Sequence, residues 1–372
     1  MDRYLKWRYA LGFYLLCLGA YYGALYLISA PGPEGAKPQI VYLRPGTPFI
    51  EVARELEERG LIRNRYAFLA LAYFRGQIDQ IKAGEYELSA SQPAEVILDK
   101  LARGEVIQHI VTIPEGFNVY QIARLLDKAG LAEKKEFLTA CRDKKFLKNL
   151  GIKADSCEGY LFPDTYYITR GMSARDIISQ MVEHFWETWE KNNFSARAEE
   201  VGLSVHEVIT LASIVEKETY LESERPLIAG VFFNRLKRGM PLQADPTVRY
   251  GLTKFKRRLS RRDLRRPSPY NTYLRPGLPP GPIANPGLSS IRAVLWPSKT
   301  KYLYFVAKPN GGHHFSRTLR EHNRAVRRYR RRPRPTLSHQ NTPTRELKEG
   351  KKGKKGQKKQ EKRPPAPPTS SH

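Results

Sequence analysis

SVHEVITLASIVEKETYL, residues 204–221, reads as one helix that carries its own start signal. Ser204 followed three residues later by Glu207 is a capping-box pattern. Val208, Ile209, Leu211, Ala212, Ile214 and Val215 then form a broad apolar arc at helical spacing. Glu216 and Glu218 are two positions apart, which turns them about 200° around the axis. Each falls near one edge of the arc, so periodicity does not choose between them. Downstream, RPLIAGVFFNRLKRG (225–239) is a second helix closed by Gly239. Loops dense in Pro, Gly, Tyr and Asn follow, and LWPSKTKYLYFVAKPNGGHHFS (295–316) reads as a β-hairpin.

Upstream, ARDIISQMVEHFWETWEKN (174–192) has apolar residues at helical spacing, and EGYLFPDTYYI (158–168) is an aromatic loop running into a strand. Residues 134–150 are helical and basic. Further back an internal repeat appears. VYLRPGTPFIEVARELEERGL (41–61) aligns without gaps on VTIPEGFNVYQIARLLDKAGL (111–131), offset by 70 residues and identical at seven of 21 positions. Each copy reads as a strand, a Gly turn and an amphipathic helix closed by Gly. A chance likeness of two strand–turn–helix units explains the alignment equally well. A strand (81–89) and a helix with Gly104 at its C-cap (93–105) lie between the copies.

The chain opens with a membrane-spanning pattern. Residues 9–30 carry no charge, and a helix of that length is about 33 Å long, enough to cross a hydrocarbon core of about 30 Å. Arg3, Lys6 and Arg8 precede it against Asp2 alone, so the first eight residues are expected in the cytoplasm. A signal peptide would have a shorter apolar region, and Pro31 makes a cut after Ala30 awkward. Everything beyond residue 30 is then expected outside the cytoplasm. At the other end, residues 331–372 carry 13 Lys/Arg and three Glu with almost no large apolar side chain, the composition of a disordered basic tail.

Across 372 residues there are 64 Lys+Arg, 37 Asp+Glu and 41% apolar residues, for a net charge of +27. That apolar share excludes wholesale disorder and suits two or three folded units. The charge suits anionic lipid, anionic wall polymer or nucleic acid. An extracytoplasmic body argues against nucleic acid. Of three cysteines, Cys141 and Cys157 are 16 residues apart, a spacing more often seen in two free thiols than in a pair; no CxxC pair offers a zinc site. His313, His314 and His322 have no ligand spacing, so no metal is expected. No Gly-rich phosphate loop precedes a helix, so no cofactor is expected.

The region 210–280 places a carboxylate-bearing helix before loops rich in Gln, Asp, Asn and Tyr. That set suits a carbohydrate cleft: aromatic faces for sugar rings, amides for hydroxyls and a carboxyl for acid catalysis. A polar structural loop cluster fits the composition as well. The ordered motifs ASIVEKET (212–219), NRL…GMPLQADPTVRYG (234–251), YNTY…GLPPGPIANPG (270–287) and YLYFVAKPNGGHHFS…HN (302–323) make the resemblance specific. Together with EGYLFPDTY (158–166) and the anchor, they resemble the MltG/YceG-like endolytic murein transglycosylases over about residues 1–330.

The resemblance, with the composition of the two termini, implies an α+β protein in five parts. These are a cytoplasmic stub and transmembrane anchor (1–30), a linker (31–37), a LysM-like α+β module (38–135), a catalytic domain (136–330) and the disordered tail (331–372). It implies a lytic transglycosylase of the inner membrane, catalytic domain outside, that cuts nascent peptidoglycan glycan strands to leave 1,6-anhydro-N-acetylmuramic acid ends. The family's catalytic Glu falls on Glu218. Gln243, Asp245, Tyr270, Asn271 and Tyr273 fall in family motifs and are the substrate-cleft candidates. Asp245, before Pro246, also suits a turn role, and Asn271 and Tyr273 also suit bracing the loop. Peptidoglycan synthases are candidate partners. The alternative is a non-catalytic, membrane-anchored wall-binding protein, against which the intact Glu218 motif argues.

Overall fold

Two antiparallel strand pairs in this chain each enclose intervening helices in the same form. The computed structural model describes residues 2–252, 259–309 and 311–330. The tail expected to be disordered, 331–372, lies outside the described residues. Helix α1 (Asp2–Ile28) contains the apolar stretch Trp7–Ile28, 22 residues with none buried against the rest of the protein. It stops two residues short of the expected Ala30.

The first repeat begins at β1 (Gln39–Leu43), continues through α2 (Phe49–Glu58) and α3 (Arg65–Phe74), and returns as β2 (Gly84–Leu88) before α4 (Ala94–Arg103). β1 and β2 are antiparallel, with Val41 opposite Tyr86. The second begins at β3 (Gln108–Thr112) and runs through α5 (Val119–Lys128), α6 (Lys134–Ala140) and α7 (Lys144–Asn149) to β4 (Thr165–Thr169) and α8 (Ala174–Lys191). β3 and β4 are likewise antiparallel. Equivalent glycines take equivalent conformations: Gly46 and Gly116 have φ of +79° and +75°, Gly60 and Gly130 both +68°. Leu61 N–H reaches Leu56 O, and Leu131 N–H reaches Leu126 O, the same helix-closing bond in both copies. The offset of 70 residues is therefore a structural repeat.

The hydrophobic cores divide at about residue 106. Val41, Leu56, Phe68, Tyr86, Leu88 and Leu98 share one core. Ile113, Ile122 and Leu126 belong with Phe185, Ile209 and Ile291 in the other. The physical reason is that β3 is paired by β4, more than 50 residues later. Glu85, on β2 and almost fully buried, joins the two units by binding His109 of β3 and Arg170 just after β4. Cys141 and Cys157 form a disulfide, where their spacing had favoured free thiols. Cys157 N–H donates to Cys141 O at 3.0 Å, which brings the two Cα atoms to 5.1 Å.

Beyond the repeats lie α9 (Phe194–Val201), α10 (Val205–Glu218), α11 (Arg225–Lys237), α12 (Asp245–Tyr250), α13 (Arg261–Leu264) and α14 (Leu288–Leu295). The hairpin β5 (Tyr304–Ala307) and β6 (His313–Ser316) and helix α15 (Leu319–Arg330) follow. α10 starts as expected, with Ser204 and Glu207 exchanging both capping bonds. It ends at Glu218 rather than Leu221, because Thr219 turns extended (φ −143°, ψ 143°). α10 packs on α11 and α14, and its core-facing side is sealed by Val208, Leu211 and Val215.

Three distant segments meet at Asn285, which is fully buried. Its Oδ1 accepts from Gly159 N–H (2.8 Å) and Leu161 N–H (3.0 Å). Its Nδ2 donates to Phe117 O (2.8 Å) and to Glu158 Oε1 (3.3 Å). Its backbone exchanges bonds with Gly116 and Phe117. Gly159 has φ +88°, and a Cβ there would lie 2.5 Å from Pro282, so the 158–161 turn approaches the 282–287 segment as only glycine allows. Asn285→Ala should strip buried partners from two N–H groups and a carbonyl. It is expected to cost at least about 3 kcal/mol, seen as a lower denaturant midpoint at unchanged slope.

Candidate active site

The two glutamates at the end of α10 occupy opposite environments. Glu216 is turned inward and almost fully buried. Its Oε1 accepts from Arg225 Nη2 (3.1 Å), and its Oε2 accepts from Ser290 Oγ (2.8 Å) and Gly287 N–H (3.1 Å). Arg225 also reaches Glu115 at 3.4 Å. Every partner of Glu216 belongs to α11, α14 or the residue before α14, so this carboxylate clamps α10 to its neighbours. Between the two glutamates, Lys217 Nζ donates to Gly116 O at 3.0 Å, fastening the last turn of α10 to the second repeat's glycine turn.

Glu218 is partly exposed, and among the described residues no hydrogen-bond donor reaches its carboxyl. Its pKa is pushed up to about 8, first by desolvation and then by the negative charge of Asp245; Arg249 and Arg235 pull the other way. Asp245 opens α12, and its Oδ1 accepts from Tyr273 Oη at 2.7 Å. Gln243, two residues earlier, takes φ +53°, a conformation that costs a non-glycine residue about 1 kcal/mol or more. It is held there by Thr272 O, which accepts its N–H, and by Arg235 Nη1, which donates to its Oε1 at 3.3 Å.

Arg235 is itself pinned. It donates to the carbonyls of Pro241, Leu242 and Leu303, and its guanidinium lies 5.1 Å from the Tyr304 ring centre. Arg249 Nε is buried without a hydrogen-bond partner among the described residues. The loop carrying Gln243 and Asp245 is thus braced from behind by one arginine, while a second arginine holds an unused donor near Glu218.

Of the residues singled out in the sequence, Glu218, Gln243, Asp245 and Tyr273 come together. Tyr270 does not join them: its ring packs 4.9 Å from that of Tyr250, whose hydroxyl donates to Glu158. Asn271 is buried with its side chain spent on its own loop, donating to Leu264 O and Arg266 O and accepting from Tyr273 N–H. The bracing role is the one it fills here. His313 bonds Glu224 through both its backbone N–H and Nδ1, locking the β5–β6 hairpin to the segment before α11. Sequence reasoning missed Arg235 and Arg249. Both stand inside the quoted motifs, but among 64 Lys and Arg nothing in their spacing separates them from a solvated charge.

A model of the YceG-like family matches residues 41–328. The chain belongs to the YceG-like family. A curated relative from Bacillus subtilis, named an endolytic murein transglycosylase, is 37% identical over 301 residues, covering 76% of this chain and 82% of the relative. A relative of the same name from Streptococcus pneumoniae is 32% identical over 350 residues, covering 84% of this chain; the chain spans 62% of that relative's length. The crystal structure of a YceG-like protein from Listeria monocytogenes is 34% identical, with a TM-score of 0.55, and covers 78% of this chain and all of the other. The YceG-like match takes in both repeats and α10 to β6, so the site and its supports lie within the family's shared region. Glu216→Gln is expected to lower stability by about 3 kcal/mol, because buried Arg225 loses its closer carboxylate and keeps only the more exposed Glu115. Chemical denaturation of the variant measures it.

Proposed function

We propose that this chain is an endolytic murein transglycosylase with Glu218 as its single acid–base group. The observation that carries the reading is the setting of that carboxyl: partly exposed, met by no hydrogen-bond donor among the described residues, and desolvated so that its pKa is pushed up to about 8. Glu158 is also pushed up to about 8, but it is buried and saturated by Val119 N–H, Tyr250 Oη and Asn285 Nδ2. Glu115 is raised too, yet it leans on Arg225. Among these three, Glu218 is the one that is accessible and has no ion-pair or hydrogen-bond partner among the described residues.

In this mechanism the Glu218 carboxylic acid gives its proton to the glycosidic oxygen as the bond from N-acetylmuramic acid C1 breaks. The resulting carboxylate takes the proton of the same sugar's C6 hydroxyl, whose oxygen closes on C1. One bond breaks, one forms, and the proton lost in the first step is regained in the second. Asp245, fixed by Tyr273, supplies negative charge beside the positive charge that builds at C1. Gln243, Asp245 and Tyr273 contact the strand, while Tyr270 and Asn271 hold the loop. α1 anchors the protein in the cytoplasmic membrane with its N-terminus inside, and the first βααβ unit serves as a LysM-like glycan-holding module. The rival that a specific observation favours is hydrolysis with Asp245 as second carboxylate. Mass spectrometry of digested peptidoglycan separates the two: 1,6-anhydro ends support the proposal, and reducing ends overturn it.

Glu218→Gln should keep the fold and strand binding while losing turnover by about 10⁴-fold or more, the upper end for a general acid–base group. Glu216→Gln should lose far less in the fraction that folds. If Glu216→Gln abolishes turnover and Glu218→Gln retains it, the assignment is reversed.

The pH profile gives an independent check. Because the acid form starts the reaction, kcat/KM on soluble strands should fall as pH rises through about 8. Asp245→Asn removes a charge that raises the Glu218 pKa, so the alkaline limb should move to lower pH. Arg249→Gln removes a charge that lowers it, so the limb should move to higher pH. Shifts in one common direction would dissociate the limb from Glu218.

A further inference from the structure

Helix α3 presents an outward face unlike that of a water-facing helix. Tyr66, Tyr73 and Phe74 are 70%, 71% and 84% exposed. With Ala70 they occupy i, i+4, i+7 and i+8, one stripe along the helix. The nine residues from Tyr66 to Phe74 contain no charge and no amide side chain. A surface helix ordinarily turns charged and polar groups outward, and a contiguous exposed apolar patch marks a contact surface.

The start of this helix is fastened to the end of the apolar span. Arg63 Nη2 donates to Ala30 O (2.8 Å), Nε to Ser29 Oγ (3.2 Å) and Nη1 to Tyr26 Oη (3.1 Å). Its guanidinium lies 4.4 Å from the centre of the Tyr26 ring. Ile28, the last residue of α1, packs against the core of the first repeat. A span of 22 residues reaches from one edge of the hydrocarbon to the other, so Tyr26 and Arg63 stand at its boundary with the headgroups. Tyrosine and other aromatic side chains are favoured in that layer.

The second repeat supplies an internal control. Counted from the N-caps Asn64 and Glu133, buried Phe68 matches buried Phe137, and buried Ala72 matches buried Cys141. The outward positions Tyr66 and Ala70 then match Lys135 and Thr139, while α6 ends at Ala140, so Tyr73 and Phe74 have no counterpart on it; the chain there continues as Arg142 and Asp143. The corresponding stretch of the second repeat is polar where it is remote in sequence from the anchor, and α3 is apolar where it adjoins the anchor.

We propose that the Tyr66–Tyr73–Phe74 face of α3 lies in the headgroup layer of the bilayer as a second, interfacial membrane contact beside α1. This rests on the reading of α1 as a membrane anchor. The occupant is lipid rather than glycan because a sugar-binding face sets amides or carboxylates among its aromatic rings, and this one sets only Ala70 between them. Buried apolar area at an interface adds directly to membrane affinity and fixes how the helix lies.

The test uses the full chain in vesicles of phosphatidylethanolamine and phosphatidylglycerol, with a benzophenone amino acid placed singly at position 16, 66, 74 or 135. Irradiation followed by mass spectrometry is expected to find lipid adducts at 16, 66 and 74 and none at 135. Adducts at 16 with none at 66 and 74 would overturn the interfacial contact while leaving the anchor standing. No adduct at 16 would remove the anchor and this proposal together. Adducts from 66 and 74 to added glycan strands or to a second copy of the chain, in place of lipid, would also overturn it.

Discussion

One buried amide holds the working end of this protein in register. Asn285 bonds the 158–161 turn on one side and the turn after β3 on the other, while its own segment runs on to Gly287, which donates to Glu216. Three stretches far apart in the sequence, at 116–117, 158–161 and 285–287, are therefore indexed to one another by a single side chain. Lys217 adds a further tie to Gly116. The position of Glu218 follows from these bonds more than from the helix that carries it. A helix can slide along an apolar groove at small cost, but it cannot slide past a set of directed hydrogen bonds that would be left unmade.

The same helix gives two adjacent carboxyls two different jobs through their surroundings. At Glu216 the protein supplies a guanidinium, a hydroxyl and a backbone N–H, the full complement that a buried carboxylate needs. At Glu218 no hydrogen-bond donor arrives among the described residues, and Asp245 adds a neighbouring negative charge. About 200° of rotation separates a buried carboxyl paired with arginine from a partly exposed one.

Much of this was legible in the sequence where the signal is local. The capping box at Ser204 and Glu207, the amphipathic arc of α10 and the uncharged run behind α1 all read correctly from spacing. The offset-70 repeat was visible as well, though only matched glycine conformations separate a true structural repeat from chance. What escaped were features that depend on contacts across the chain. The partner of β3 lies beyond 160, so no local pattern places the core boundary near 106. The pairing of Cys141 with Cys157 depends on how α6 and the turn after α7 face each other. Glu216 and Glu218 sat symmetrically at the edges of one arc, and only Arg225, Ser290 and Gly287 break the tie. Arg235 and Arg249 were invisible for the same reason: a buried, directed arginine and a solvated one are the same letter.

The Glu85 joint has a consequence for length. Its carboxyl, shut away from water, binds two side chains at the near end of the next sheet, His109 of one strand and Arg170 just past the other. Two bonds from one rigid group resist swivelling as a single bond would not. With Arg63 gripping the membrane end of the first unit, the chain from anchor to Glu218 behaves as a strut rather than a tether. Under the proposed activity, the stub of glycan left between membrane and cut would then be measured by the dimensions of the folded protein.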